Sequence, residues 1–292
     1  MPALIRAMRA AWSATPGTTP ADAAFGLVTL STDDSEGATD MASFRWAQTA
    51  NYGVAPNAAM PNVFVAQAYD LADPWVNCGD APQTKQCPGC DTALPGVSCL
   101  TPFYMGPGIH PRLKAPVGGR LAAGAFATVY GFGGPVTGPT LAGCAVSADG
   151  ASLTLTFNAT LLAGAALTVA PAPAAYSGLS VLVNSTGIPA TGKWIAVPVA
   201  LGSATTVIAD LSKLGSSPPQ AVKYAWGATG GVPNDVDVTC CAPQPSGVCA
   251  PVSCPINAVV PTAPYGLLPA NPWIAVLRAG GCECAPPQTC DA

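Results

Sequence analysis

The sequence predicts an α/β protein in two parts, in which helices alternate with strands and an all-β region follows. The chain has 292 residues, more than the single-domain average of about 150 residues. Helical and strand-like segments alternate up to Tyr130, which is typical of a parallel sheet covered by helices. After the turn-rich stretch at 131–140, apolar residues follow the two-residue period of strands. These observations predict domains over 1–131 and 132–292.

The first part opens with a helix, because Leu4, Ile5 and Met8 recur at spacings of three and four. Short β-favouring runs follow, and Pro111 suits the first turn of the last helix of this part. The predicted elements are, in order, a helix over 2–14, a strand over 24–32, a helix through 45–49, a strand over 62–71 and a helix beginning at 110–111.

The second part reads as a β-sandwich with a cysteine-rich end. Leu153, Leu155 and Phe157 alternate with polar residues and face one side of a strand. Gly and Pro clusters separate the other apolar runs. Further strands are predicted at 165–170, 179–184, 193–199, 205–211, 221–226 and 273–277.

Composition excludes several classes of partner. Only 9% of the residues are charged, the net charge is −4, and the charges are scattered, so nothing predicts binding to nucleic acid. Residues 121–148 carry no charge, but eight glycines and prolines interrupt them, which argues against a membrane span. We therefore expect a folded, weakly charged chain; its oligomeric state is not predictable from the sequence.

The twelve cysteines and two glycosylation sequons, at Asn158 and Asn184, predict an oxidising compartment, either secreted or a lysosome-like lumen. Arg6 and Arg9 interrupt the first apolar stretch, so it does not read as a signal peptide. The expectation is that the chain is the carboxy-terminal part of a longer exported protein.

The cysteines leave two chemistries open. Cys78, Cys87, Cys90 and Cys99 lie within 22 residues, and the middle pair has zinc-ligand spacing. Two local disulfides that close a long loop are the favoured interpretation, because the sequons and the other cysteines indicate oxidation. The cysteines within 240–254 and 282–290 are likewise predicted to form disulfides in the β region.

His110 is the only histidine of the chain and so the only candidate imidazole base. A histidine just before a helix lies at the mouth of such a sheet, where neutral imidazole can accept a proton from a hydroxyl nucleophile. The alternative from spacing alone is a helix cap or a surface residue.

Several segments together carry a recognisable pattern. They are Phe25–Ser31, Arg45–Asn62, the strand ending at Asp70, the IHPRLK motif at 109–114 with Gly118 and Arg120, Lys223–Gly227, Cys254–Pro255 and Leu267–Leu277. This series resembles the sialate O-acetylesterase family, a branch of the SGNH-type carbohydrate esterases. The resemblance implies that 1–131 are the carboxy-terminal portion of an SGNH-type parallel-sheet hydrolase domain.

The resemblance also implies a chemistry. Such esterases remove acetyl groups from sugar hydroxyls with a serine nucleophile, a histidine base and an oxyanion hole, without metal or cofactor. His110 would be the base. No serine of this chain lies in the required glycine-bounded elbow, since Ser31 ends a strand but continues into Thr32 and two aspartates. The chain as given therefore lacks the nucleophile.

The residue that orients the base is also in question. Many SGNH-type esterases have an aspartate three positions before the histidine, where this chain has Pro107. Asp70 or Asp73 could replace it, although each is also explained as a turn residue at a strand end.

Arg45 and Gln48 stand three apart on one predicted helix face. They either contact the sugar or have a structural role, in which Arg45 pairs with a carboxylate and Gln48 bonds loop backbone.

Three function hypotheses follow. The first is a carbohydrate O-acetylesterase that acts on an acetylated sugar, with the serine supplied from outside the chain. The second is a secreted, non-catalytic carbohydrate-binding or cell-wall protein on the same scaffold. The third is an isolated zinc module, which stoichiometric metal would reveal.

Overall fold

The computed structural model describes seven ranges of the chain. These are residues 1–31, 41–71, 114–171, 177–184, 193–226, 254–260 and 267–283. The cluster of cysteines at 78–99 and His110 lie outside the described residues. Within these ranges no helix is both long and apolar enough to cross a membrane.

The first part contains three helices and a two-stranded sheet. Its elements are α1 (Pro2–Trp12), β1 (Phe25–Val28), α2 (Met41–Gln48), β2 (Val63–Ala66) and α3 (Ala115–Tyr130). β1 and β2 pair in parallel, with Phe25 opposite Val63 and Val28 opposite Ala66. The predicted order of helices and strands is present, while the larger SGNH-type sheet remains a prediction, since the described part of this region holds these two strands.

The two faces of this sheet pack against different helices. Ile5 of α1 joins Leu27, Val63 and Val65 in one buried cluster. On the opposite face α3 lies so close that a Cβ at Gly124 would be 2.7 Å from the Phe64 ring. Glycine is therefore required where α3 crosses β2, and the local arrangement is three layers, helix, sheet and helix.

Arg9 fixes α1 to the amino-terminal ends of both strands. Its Nε donates to the Ala23 carbonyl at 2.8 Å, and its Nη2 donates to the Pro61 carbonyl at 2.9 Å. The side chain is buried, so its donors replace water at two loop carbonyls.

The second part is mostly antiparallel sheet. Nine strands form one sheet in the order β7, β6, β10, β13, β14, β3, β4, β9 and β8, and three form another in the order β12, β11 and β5. Their bounds are β3 Leu141–Val146, β4 Ser152–Phe157, β5 Ala166–Val169, β6 Leu179–Val183, β7 Lys193–Ala196, β8 Val199–Leu201, β9 Thr206–Asp210, β10 Ala221–Tyr224, β11 Ile256–Val259, β12 Leu267–Pro269, β13 Trp273–Arg278 and β14 Gly281–Glu283. A short helix, α4 (Ala159–Leu162), and a 3₁₀ turn at Ser212–Leu214 interrupt the strands.

The large sheet curls. β7 and β8 stand at its two ends, yet only Val197 and Pro198 separate them in sequence. The sheet must therefore bring its ends together. Leu153, Leu155 and Phe157 are buried inside, as the period-two pattern predicts.

Two sequence expectations change in this part. Residues 193–199 were expected as one strand, but the chain passes from β7 to β8 at Val197 and Pro198, because the Pro198 nitrogen has no hydrogen to donate to a ladder. β3, β11, β12 and β14 were not predicted.

One disulfide joins distant strands of the large sheet. Cys282 of β14 bonds Cys144 of β3, at a sequence separation of 138 residues, so Cys282 is not part of a local disulfide within 282–290. Cys254 is also disulfide-bonded.

Candidate functional site

The carboxyl ends of β1 and β2 lie side by side. Residues 29–31 leave β1 and residues 67–71 leave β2 at this edge. In α/β proteins ligands bind outside the carboxyl ends of the strands, because loops from neighbouring strands converge there. This edge is the candidate site.

A buried polar network joins the two strand ends. The Thr29 hydroxyl donates to the Gln67 Oε1 at 2.8 Å and accepts the Ala68 N–H at 3.1 Å. The Gln67 Nε2 donates to the Asn271 Oδ1 at 2.8 Å. All of these side chains are buried, so each polar atom depends on a protein partner.

Asn271 connects this edge to the β region. Its Nδ2 contacts the Thr140 hydroxyl at 2.7 Å and the Thr137 hydroxyl at 2.9 Å. Asn271 precedes β13, while the threonines precede β3. The segments that enter two strands of the curled sheet are thereby fixed to the end of β2.

A buried ion pair lies beneath the same edge. The Arg120 Nη1 and Nη2 donate to the two Asp70 carboxylate oxygens at 2.7 and 2.6 Å. The Arg120 Nη1 also donates to the Gln67 carbonyl at 2.6 Å. Both side chains are almost wholly buried, and the geometry is the bidentate pairing of a guanidinium with a carboxylate.

The ion pair connects a residue just before the stretch 72–113 with a residue just after it. Asp70 lies two residues before position 72, where the undescribed stretch 72–113 starts, and Arg120 lies in the first turns of α3, ten residues after His110. The pair therefore anchors both ends of the segment that carries the only histidine of the chain. Asp70 is more than a turn residue.

Two buried tyrosines form hydrogen bonds near the end of β2. The Tyr69 hydroxyl donates to the Ala270 carbonyl, and the Tyr224 hydroxyl accepts the Ile256 N–H at 3.3 Å. Burial raises the pKa of Tyr69 well above the usual tyrosine range, and burial also raises the pKa of Tyr224. Both phenols therefore stay protonated, and able to donate a hydrogen bond, to a higher pH than an exposed tyrosine.

Gln48 extends from α2 to the edge of β1 that faces away from β2. Its Oε1 accepts the Leu30 N–H at 2.9 Å, and its Nε2 donates to the Val28 carbonyl at 3.1 Å. A neighbouring strand would make the same pair of bonds, so the amide substitutes for one at this point.

Arg45 is held at the end of β1. Its Nε donates to the Leu30 carbonyl at 2.7 Å and its Nη2 to the Ser31 carbonyl at 2.8 Å. The side chain is 1% exposed. These bonds agree with a structural role for Arg45 and Gln48, and their contact with a sugar stays a prediction.

Ser31 lies at the candidate edge, where its hydroxyl is buried and has no hydrogen-bond partner among the residues that the structure describes. No basic side chain among the described residues is positioned to accept its proton. Within the described ranges no group of three His, Cys, Asp or Glu residues could hold a metal ion.

Comparisons with known proteins decide the family. No family profile matches the sequence. The chain is 38% identical to human sialate O-acetylesterase over 119 residues, which are 38% of this chain and 17% of the human protein. It is 31% identical to the rat sialate O-acetylesterase over 230 residues, which are 77% of this chain and 35% of the rat protein. The chain belongs to the sialate O-acetylesterase family.

A solved structure shares the fold of this sialate O-acetylesterase relative. It is a carbohydrate acetylesterase from Xanthomonas citri, 19% identical, with a TM-score of 0.52. The match covers 94% of this chain and 45% of that chain. The chain thus spans less than half the length of the proteins it matches.

The structure describes two of the three remaining residues that the sequence singles out, Asn158 and Asn184. His110 lies outside the described residues and stays a prediction. Asn158 is the N-cap of α4, where its Oδ1 accepts the Leu161 N–H at 3.0 Å. Asn184 is exposed after β6. Glycosylation of both asparagines stays a prediction.

Sequence reasoning did not find the ion pair. Arg120 was noticed only as part of a family-like motif, and Asp70 only as a substitute partner for the histidine. The sequence did contain an indication of this pair, because Arg120 is the one charged residue of the sixteen in α3. A lone charge in an apolar helix usually has a buried partner.

Proposed function

We propose that this chain is part of a carbohydrate O-acetylesterase that removes acetyl groups from sugar hydroxyls. The observation that carries the proposal is its kinship with the sialate O-acetylesterases, over 77% of the chain in the rat comparison. The buried Asp70–Arg120 ion pair also supports the proposal, because the two residues flank the segment that carries His110 and a general base needs a fixed position.

In the proposed reaction His110 is the general base. It accepts the proton of a serine hydroxyl as the serine oxygen attacks the acetyl carbonyl carbon. The tetrahedral intermediate collapses, the sugar oxygen leaves, and His110 returns the proton to it. Water then attacks the acetyl-serine with His110 again as base, and His110 returns that proton to the serine oxygen as the acetyl–serine bond breaks and acetate leaves.

The serine nucleophile is proposed to come from a segment outside this chain, because none of its serines lies in an elbow turn. Arg45 and Gln48 support the end of β1 under the site. An acetylated carbohydrate is the proposed substrate, and secretion or a lysosome-like lumen is the proposed location.

The missing elbow favours a second candidate, a secreted carbohydrate-binding or cell-wall protein that kept the scaffold without catalysis. Sequencing the transcript upstream of Met1 separates the two. A serine elbow and a signal peptide there support the esterase, whereas an in-frame stop supports the binding protein.

The activity test uses 4-nitrophenyl acetate and an acetylated sugar. The 292-residue chain alone is expected to release no acetate above background. In the longer protein with the serine, His110→Ala should lower kcat by about 10² to 10⁴, the usual contribution of a general base. Lys213→Ala, an exposed residue in the 3₁₀ turn of the β region, is the control and should keep full activity. Unchanged turnover in folded His110→Ala would refute the assignment.

A further inference from the structure

Three exposed aromatic side chains touch one another at the carboxyl end of α3. Phe126, Tyr130 and Phe132 are 52%, 67% and 60% exposed. The Phe126 ring centroid lies 5.9 Å from that of Tyr130 and 5.7 Å from that of Phe132, and the last two are 6.5 Å apart. Single exposed apolar residues are common on protein surfaces, but exposed residues that form a cluster indicate a binding surface. We call these three residues the aromatic patch.

Local structure fixes the positions of the three rings. Phe126 and Tyr130 are four residues apart and therefore neighbours on one side of α3. Gly131 then has a φ of 67°, a left-handed conformation that glycine adopts without steric cost, and it ends the helix. This turn brings Phe132 back toward the helix, where its N–H donates to the Phe126 carbonyl at 3.1 Å. The patch is thus formed before a ligand binds, which lowers the entropic cost of binding.

The patch lies on the side of α3 that faces away from the sheet. Gly124 packs against Phe64 of β2. Phe126 lies two residues further along, on roughly the opposite side of the helix, because each residue turns the helix by about 100°. Tyr130 is ten residues beyond Arg120, about 15 Å along the helix axis. The patch is therefore separate from the candidate site at the carboxyl ends of β1 and β2.

The size of the patch fits a small ligand better than a protein partner. An aromatic side chain has about 150–250 Å² of surface, so three that are a little over half exposed offer about 270–450 Å². A stable protein interface buries about 800 Å² on each partner. Val129, which is 53% exposed, borders the patch but is too small to supply the difference.

Charge and ring chemistry favour a neutral sugar as the ligand. Residues 121–148 contain no charged side chain, and Arg120, the one charge of α3, is buried. This stretch therefore offers no cation to a sugar carboxylate or to an anionic lipid surface. The face of an aromatic ring is apolar and carries partial negative charge, so it attracts the C–H bonds that cover one face of a pyranose ring.

We propose that the aromatic patch binds a neutral glycan, with the C–H faces of consecutive pyranose rings against Phe126, Tyr130 and Phe132. Such a site holds the protein on a polysaccharide without contacting the ester that is cleaved. The inference goes beyond the proposed function, because binding here needs neither His110 nor a serine nucleophile.

The test measures glycan binding to the full 292-residue chain with its disulfides intact. The probes for isothermal titration calorimetry are cellohexaose and xylohexaose, which are neutral, and sialyllactose, which carries a carboxylate. We expect at least one neutral hexasaccharide to bind. Sialyllactose should bind at least about tenfold more weakly, because its carboxylate has no charge-assisted partner at the patch.

Two variants each remove one ring from the patch. Phe126→Ala and Tyr130→Ala lie at exposed helix positions, where alanine favours the helix, so the fold should be kept. Each should weaken binding at least about tenfold, the effect of losing one central contact. Tyr130→Trp should preserve binding, because it keeps a flat ring at this position. Phe44→Ala on α2 is the matched control, because Phe44 is 54% exposed and Phe126 is 52% exposed, and it should leave binding unchanged.

Binding that both patch variants weaken and that Tyr130→Trp and Phe44→Ala preserve supports the proposal. It does so even if the longer protein releases no acetate, a result that counts against the proposed function alone. The proposal is overturned if neither hexasaccharide binds, if either patch variant leaves binding unchanged, or if sialyllactose binds more tightly than both. A dimer in light scattering that Phe126→Ala dissociates also overturns it, by assigning the patch to a second copy of the chain.

Discussion

The substitution Arg120→Met tests the ion pair at the base of the His110 segment. It removes three donated hydrogen bonds of 2.6 to 2.7 Å and a longer one of 3.4 Å to the Leu267 carbonyl, and it leaves the Asp70 carboxylate buried without its cation. Removing one partner of a buried pair costs about 3–5 kcal/mol, mostly because the remaining charge is desolvated. We expect the free energy of unfolding to fall by that amount.

The double variant Arg120→Met with Asp70→Leu sharpens the test. It removes both charges, so the cost of a buried unpaired charge disappears and the remaining loss is the hydrogen bonds to the Gln67 and Leu267 carbonyls, about 1–2 kcal/mol in total. The double variant should therefore be more stable than Arg120→Met alone. Urea unfolding followed by tryptophan fluorescence, with the disulfides intact, measures the native protein, Arg120→Met, Asp70→Leu and the double variant.

Arg278→Met is the control for the loss of an arginine. Arg278 pairs with Glu283 at 3.1 Å, but the two side chains are 67% and 54% exposed. Exposed pairs contribute no more than about 1 kcal/mol. If Arg120→Met costs no more than Arg278→Met, or if the double variant loses the sum of the two single losses, the reasoning about the buried charge is wrong.

Three other predictions concern stability. Gln48→Leu removes the hydrogen bonds to the Val28 carbonyl and the Leu30 N–H and should cost about 1–2 kcal/mol in urea unfolding, because water can reach these groups, whereas an unchanged midpoint would exclude the edge-capping role. Burial keeps Tyr69 and Tyr224 protonated in the folded state. Their contribution to the free energy of unfolding should therefore be fully present below the usual tyrosine pKa of about 10 and should be lost as the pH rises above it. In a pH series of melting curves, Tyr224→Phe should make that loss smaller. Replacing Cys144 and Cys282 by alanine should cost about 2–4 kcal/mol in calorimetry, and no change would mean that the bond does not restrict the unfolded chain.

Much of the fold could be predicted from local sequence patterns. The alternation at Leu153, Leu155 and Phe157 is a property of one strand, and it predicted the buried face of β4. The spacing of apolar residues after Met1 predicted α1 for the same reason. Such elements follow from a handful of neighbouring residues, and their partners need not be known.

Partners distant in sequence were decided by the tertiary structure. Asp70 and Arg120 are 50 residues apart, and Cys144 and Cys282 are 138 apart, so no local spacing could pair them. The sequence by itself determined the family, the helix and strand periods, and the single histidine. Only the folded chain decided which charges are buried together and that the Gln48 amide bonds the edge of β1 opposite β2, because desolvation and backbone pairing depend on what lies nearby in space.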